Sequence, residues 1–253
     1  MNLKLLAVAF SGLAASFVTP ALSGQTHVAV AANFTEPSKE IADLFKAKTG
    51  HEAVLIFGAS GAFYTQITHE APFEVFLSAD TERPTLAVDN GYAVPESLFT
   101  YAIGKLALWS RVVDVTKGDE ALKAGAFSKL AIANPNSAPY GTAAIETLKA
   151  LNLYDSLQAK IVQGSSIAQT FQFVDTKNAE VGFVALSQII NTTDGTRWLV
   201  PAKLYTPIRQ DAVLLKRGAN DEASKAFIEF LKGPEARAVI TKFGYGLDQD
   251  LVR

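Results

Sequence analysis

The stretch that decides the fold begins His27-Val28-Ala29-Val30-Ala31 and runs into the turn Ala32-Asn33-Phe34-Thr35. A helix-period segment, 37–48, follows, then Ala53-Val54-Leu55-Ile56-Phe57 and a second turn, Gly58-Ala59-Ser60-Gly61. The two apolar runs have the length and composition of strands. The segment between them sets Ile41, Leu44 and Phe45 on one helical face and stops at Gly50. Strand, polar turn, helix, strand, polar turn is a βαβ unit, and it predicts a mostly parallel sheet covered by helices.

Working outward, the same alternation recurs. A helix is predicted over 62–69, a strand over 73–77 and a helix over 83–90, stopped by Gly91. Residues 99–110 read as extended throughout, with Gly104 inside them. A second α/β set then begins, with strands at 130–133, 160–163, 181–184 and 198–200 and helices at 142–151 and 167–174. A strand at 208–215 and helices at 221–232 and 234–243 end the chain. Two three-layer lobes fit this pattern. Long strands at 99–110 and 208–215 could cross between them, so that 24–103 plus 208–253 form one lobe and 104–207 the other.

Residues 1–23 are set apart as an export signal. Lys4 gives a positive start, an apolar run follows to Val18, Pro20 breaks it, and Ala21-Leu22-Ser23 supplies a small-residue cleavage site. The run is shorter than the roughly 20 apolar residues that a membrane span needs. Lys4 is the only charge in that segment, so the remaining 230 residues carry 22 basic and 25 acidic side chains. That balance leaves no electrostatic footprint for nucleic acid or an anionic membrane. Cysteine is absent, which excludes disulfides, thiolate metal sites and the acylated cysteine of a lipoprotein anchor. A monomeric protein, exported and kept in a periplasm, is the expectation.

Four turns stand at predicted helix starts: 32–35, 58–61, Ser137-Ala138-Pro139-Tyr140-Gly141-Thr142, and Gly164-Ser165-Ser166-Ile167. In a parallel α/β sheet such turns gather at the carboxyl edge, where ligands bind. Each opens a helix whose first N–H groups lack intrahelical partners and whose dipole end is positive. Two turns from each lobe, facing each other, would surround an anion with donors. Ordinary capping by Ser, Thr and Asn is the competing explanation of any one turn. None of the four contains Lys, Arg or His, and no phosphate-binding G-x-x-x-x-G-K-[ST] occurs.

Enzyme patterns are weak. His27, His51 and His69 are scattered, no H-E-x-x-H occurs, and 58–61 is one residue short of a G-x-S-x-G elbow. No histidine follows His69 to serve Ser60 as a base. Glu36 reads as a first-turn helix carboxylate, Asp80 as a cap and Glu74 as an interruption of an apolar strand. No catalytic residue, no cofactor and no protein-coordinated cation are expected.

At these turns the sequence resembles the periplasmic molybdate-binding proteins of ABC importers, the ModA family. The matching stretches are 28–34, 57–61, 71–80, 130–135, 138–141, 182–187 and Phe230-Leu231-Lys232-Gly233-Pro234, in the family's order. The resemblance implies a type II, Venus-flytrap, two-lobed periplasmic-binding-protein fold, each lobe a mixed, mostly parallel sheet flanked by helices. It also implies a buried molybdate or tungstate ligand, and partnership with the permease and ATPase subunits of an importer. Molybdenum would be present only as the bound oxyanion.

By that resemblance Asn33 donates to the anion from the first turn. Ser60 donates through hydroxyl and backbone N–H, Tyr140 stands in the third turn, and Ile167 donates its backbone N–H. Ala32 and Ala59 are their neighbours. Two positions depart from common family patterns: Ala185, where many members have tyrosine, and Ala32, where some have threonine. Tyr140 is read as the alternative source of a phenol. The rivals are a related binding protein for sulfate, chromate or ferric iron, and a hydrolase using Ser60. Iron-binding relatives use a tyrosine pair, whereas Tyr205 and Tyr245 stand apart in sequence.

Overall fold

A computed structural model describes residues 23–247, and the expected export signal lies outside them apart from Ser23. The first half-sheet is laid down by β1 (Gln25–Ala31), α1 (Thr35–Thr49), β2 (Glu52–Gly58), α2 (Ser60–Thr68), β3 (Val75–Leu77), α3 (Glu82–Asp89) and β4 (Phe99–Gly104). The second set is β5 (Leu106–Ser110), α4 (Asp119–Ala124), β6 (Leu130–Ala133), α5 (Pro139–Ala150), α6 (Tyr154–Leu157) and β7 (Ile161–Gly164). It continues with α7 (Ile167–Asp175), β8 (Val181–Ala185), α8 (Leu186–Ile189) and β9 (Thr196–Leu199). The chain then returns through β10 (Ile208–Leu214), α9 (Glu222–Lys232) and α10 (Pro234–Lys242).

Two five-stranded sheets result, ordered β2-β1-β3-β10-β4 and β7-β6-β8-β5-β9. They are built alike. Each has a parallel trio (β2-β1-β3 and β7-β6-β8) followed by an antiparallel strand, β10 or β5, and an antiparallel edge. The extended run 99–110 is two strands in different sheets, divided at Lys105. β10 recrosses and lies between β3 and β4, so the C-terminal segment completes the first sheet.

Period-two burial explains why these runs became strands. Val28 and Val30 face a core with Ile41, Phe45, Phe227 and Ile240, while Ala29 faces the opposite layer with Phe63, Phe76 and Val213. Helix α1 ends on Gly50, whose φ of 77° accommodates the left-handed cap and returns its N–H to the Lys46 carbonyl. In the second sheet Leu106, Leu108, Ile132 and Phe183 pack on one face, and Trp109 stacks on Phe171 across the other at 5.2 Å. Ala31, Ala32 and Ala79 of the first sheet's turns belong to the same buried cluster as Tyr140 and Ile167 of the second, so the two lobes are in contact. Helices α4, α6 and α8 leave no mark in the sequence pattern, since they span only 6, 4 and 4 residues. Segments that short carry too few turns to show a helical period.

Candidate functional site

The carboxyl ends of the parallel strands aim at one place. β1 ends at Ala31 and a 3-10 turn, Ala32–Phe34, leads into α1. β2 ends at Gly58 and α2 starts at Ser60. From the other sheet, α5 starts at Pro139 after β6, and α7 starts at Ile167 after β7. Ala32, Asn33, Ala59, Ser60, Tyr140 and Ile167 line one small space between the sheets, together with Ala79 and Ala138. All six residues expected from the sequence are therefore brought together.

These helix starts are not explained by capping. The N-cap residues of the first turn, α2 and α5 are Ala31, Ala59 and Ala138, and none has a side chain that can accept from the helix. Only the fourth is capped, by Ser166, whose hydroxyl accepts from the Gln169 N–H at 3.3 Å. An alanine cap costs about 1 kcal/mol against serine or asparagine. Three such caps around one space leave first-turn N–H groups without a capping side chain, although the Gly61 N–H is taken by the Ser137 carbonyl. The alanines also let the surrounding backbone approach closely.

Ser60 is buried and its Oγ accepts from the Ala79 N–H at 2.9 Å, so the hydroxyl hydrogen is directed elsewhere. Asn33 is held differently. Its side-chain Nδ2 donates to Gln210 Oε1 at 2.8 Å and to the Tyr245 hydroxyl at 3.0 Å, and its carbonyl accepts from Ser187 and Tyr245. Asn33 Oδ1 is buried with no hydrogen-bond partner among the described residues. Only a donor can satisfy that atom, so it offers nothing to an anion. The donor that Asn33 has to spare is its backbone N–H, at a helix start.

Tyr140 is spent in a similar way. Its phenol accepts from Gln210 Nε2 at 3.2 Å and lies against Gly104, where an added Cβ would stand 2.3 Å from the phenol oxygen. The phenol belongs to a buried network with Gln210, Asn33, Tyr101, Tyr245 and Ser187, beyond the residues expected from the sequence. A signal existed, because Arg209-Gln210-Asp211 interrupts an otherwise apolar strand. Burial pushes the Tyr101, Tyr140 and Tyr245 phenols above their ordinary range, so they stay neutral donors and acceptors.

Among the described residues that line the space there is no Lys, Arg or His. Arg83 borders the second turn, but its guanidinium pairs with Asp80 and donates to the Asn136 carbonyl at 3.0 Å across the cleft. Nearby, the Gly61 N–H donates to the Ser137 carbonyl at 2.9 Å. Asp80 also accepts from the Arg83 N–H at 2.9 Å, the capping role expected of it, and Glu74 accepts from the His27 N–H at 2.6 Å. A larger groove of about 360 Å³ opens beside the site, lined by Asp80, Glu82 and Glu146 together with Arg83 and Arg209, so it carries charges of both signs, unlike the small space itself.

The chemistry of a Ser60 nucleophile is not assembled. His69 lies exposed on the flank of α2 with Nδ1 2.8 Å from the Thr65 carbonyl. His51 Nδ1 accepts from Gly24 N, and His27 faces Glu74. Among the described residues no group of three or more His, Cys, Asp or Glu side chains could hold a metal ion.

Two joined α/β lobes enclosing a small, donor-rich space at their strand ends define a two-lobed solute-binding protein. The family model for bacterial extracellular solute-binding proteins matches residues 26–246. The molybdate-binding protein ModA of Rhodobacter capsulatus is 57% identical over 228 residues, covering 89% of this chain and 90% of that one. ModA of Azotobacter vinelandii is 50% identical, covering 90% and 92%. A solved structure, the periplasmic molybdate-binding protein of Azotobacter vinelandii, superposes with a TM-score of 0.85 at 40% identity and covers 88% of this chain and 100% of that one. The chain belongs to the bacterial extracellular solute-binding proteins and, within them, to the ModA family.

Proposed function

We propose that this protein captures molybdate between its lobes in the periplasm and delivers it to the membrane subunits of an ABC importer, without chemistry on the ligand. The observation that carries this is the convergence of three helix starts and a 3-10 turn on one small space whose described lining has no Lys, Arg or His, with alanine as the cap of the turn, α2 and α5. Such a cage suits a small, fully ionised anion. The relatives' ligand narrows it to molybdate, and tungstate has the same charge and nearly the same size.

In this reading Asn33, Tyr140 and Ile167 give backbone N–H groups, and Ser60 gives hydroxyl and N–H. Ala32 and Ala59 flank them. The dianion loses its water, so the donors must replace nearly the whole shell. Sulfate has shorter bonds to its oxygens, and a closed cage fitted to the larger ion holds it with lengthened hydrogen bonds. The lobes are 24–103 plus 208–253 and 104–207, hinged where the chain crosses at Lys105 and again between β9 and β10. An export signal at 1–23 and a monomeric state complete the proposal.

Calorimetry on the desalted mature protein with molybdate, tungstate, sulfate, phosphate and chromate tests the reading. Molybdate and tungstate are expected to bind far more tightly than the other three. Sulfate binding as tight as molybdate would sink the assignment.

A further inference from the structure

We infer that Gln210 is a specificity-determining positioning residue: its one buried amide sets the distance between the donor turns of the two lobes, and so the size of ion the cage accepts. This rests on the molybdate reading above. Gln210 lies on β10 in the first sheet and is fully buried. Its Oε1 accepts from Asn33 Nδ2 at 2.8 Å, which fixes the first turn of its own lobe. Its Nε2 donates to the Tyr140 phenol at 3.2 Å, which fixes the start of α5 in the opposite lobe. The Tyr101 hydroxyl, 3.0 Å from both Gln210 Oε1 and the Ser78 carbonyl, ties the amide to the end of β3.

Two backbone features hold the amide in place. The pairing of β10 with β4 slips between Gln210 and Asp211, a bulge that re-aims side chains from a strand. On the facing strand a Cβ at Gly104 would stand 2.6 Å from Gln210 Nε2 and 2.3 Å from the Tyr140 oxygen, so only glycine leaves room for the amide and phenol to meet. The sequence thus spends a buried polar residue, a bulge and a glycine on a contact that does not touch the ligand space: Gln210 is absent from the residues lining it. Asn33 and Tyr140, which Gln210 joins, stand on opposite sides of that space. A spacer of fixed length between them suits selection by size.

The test measures molybdate and sulfate affinities for the wild type, Gln210→Leu, Gln210→Glu and Tyr140→Phe, each checked for a cooperative thermal transition. Gln210→Leu is expected to weaken molybdate about tenfold or more and sulfate far less, so the selectivity ratio collapses, since the amide's lost hydrogen bonds together exceed 1.4 kcal/mol. Tyr140→Phe cuts only the link across the lobes and lowers the ratio in the same direction, which keeps the test alive if the leucine variant does not fold. Gln210→Glu supplies a signature that packing alone does not give. A buried protonated glutamic acid matches glutamine in shape and donates to the phenol. Selectivity is therefore expected near wild type at about pH 5.5, and to fall toward pH 8 as the carboxyl ionises. Equal losses for both ions in Gln210→Leu and Tyr140→Phe, with no pH dependence in Gln210→Glu, overturn the inference. A wild type that does not prefer molybdate overturns the molybdate reading instead.

Discussion

Ser60 carries two duties with one oxygen. Its Oγ accepts from the Ala79 N–H, and in the proposed function its hydroxyl hydrogen is the one offered to the anion. Ser60→Ala removes a hydrogen bond to a charged partner, a loss of about 1.5–3 kcal/mol, so molybdate affinity should fall roughly 10- to 100-fold by calorimetry. The neighbouring residues also predict how affinity depends on pH. His27, His51 and His69 all have partners away from the ligand space, and the Tyr140 phenol is raised by burial. A phenol whose pKa is raised keeps its proton to higher pH than usual, and its donor is lost only as pH climbs through that raised value. Affinity should therefore stay flat between about pH 6 and 9, and a midpoint near the ordinary histidine range of about 6.5 would show a titrating group that the geometry lacks. The residue scale also marks where reading from sequence stopped. The turns that hold Ser60 and Ile167 were legible because they stand between a strand and a helix, whereas the roles expected of these two residues came from the family resemblance. The partners of Asn33 and Tyr140 were not, because Gln210 and Tyr245 lie 177 and 212 positions from Asn33, and no local pattern encodes such pairings.

At the scale of elements, the helices that present the donors are held from behind by apolar packing. Phe45 of α1 is fully buried, and its ring meets Phe227 at 5.2 Å and Phe230 at 5.6 Å, both edge to face, from α9. Phe45→Ala should cost about 3–5 kcal/mol in chemical denaturation. Molybdate affinity of the fraction that remains folded should be unchanged, because the cavity lies at the opposite end of α1. Most elements were visible in the sequence for the same reason that they are stable: a strand or helix with one apolar face must bury it. The run 99–110 is the instructive case. It is mostly apolar on both sides of Gly104-Lys105 and reads as extended throughout, yet Gly104 and Leu106 belong to different sheets. A change of sheet alters which neighbours a strand has, and leaves its hydrophobic pattern untouched.

For the whole molecule, the relevant quantity is the balance between open and closed lobes. Arg83 donates to the Asn136 carbonyl and Gly61 to the Ser137 carbonyl, bonds that join turns of the first sheet to a turn of the second and that opening of the proposed lobes would break. Arg83→Ala should raise the dissociation rate of molybdate several-fold with little change in the association rate, as measured by stopped flow. Its selectivity between ions should be unaltered, since the cage donors remain. An unchanged dissociation rate would show that the clasp adds nothing to closure. The two-lobed architecture was legible from the repeated α/β rhythm, whereas the clasp was not, because its acceptors are backbone carbonyls that any residue supplies.

The place of β10 between β3 and β4 has a consequence for how the molecule comes into being. The second sheet is drawn from one uninterrupted stretch, so it has all its strands as soon as Leu199 has left the ribosome. The first sheet does not: β4 has no neighbour in it except β10, and β3 loses one of its two. Strands made at the beginning of synthesis must wait for one made near its end. The nascent chain therefore carries its N-terminal portion unfinished for most of its manufacture, and that interval is open to any machinery that requires an unfolded substrate.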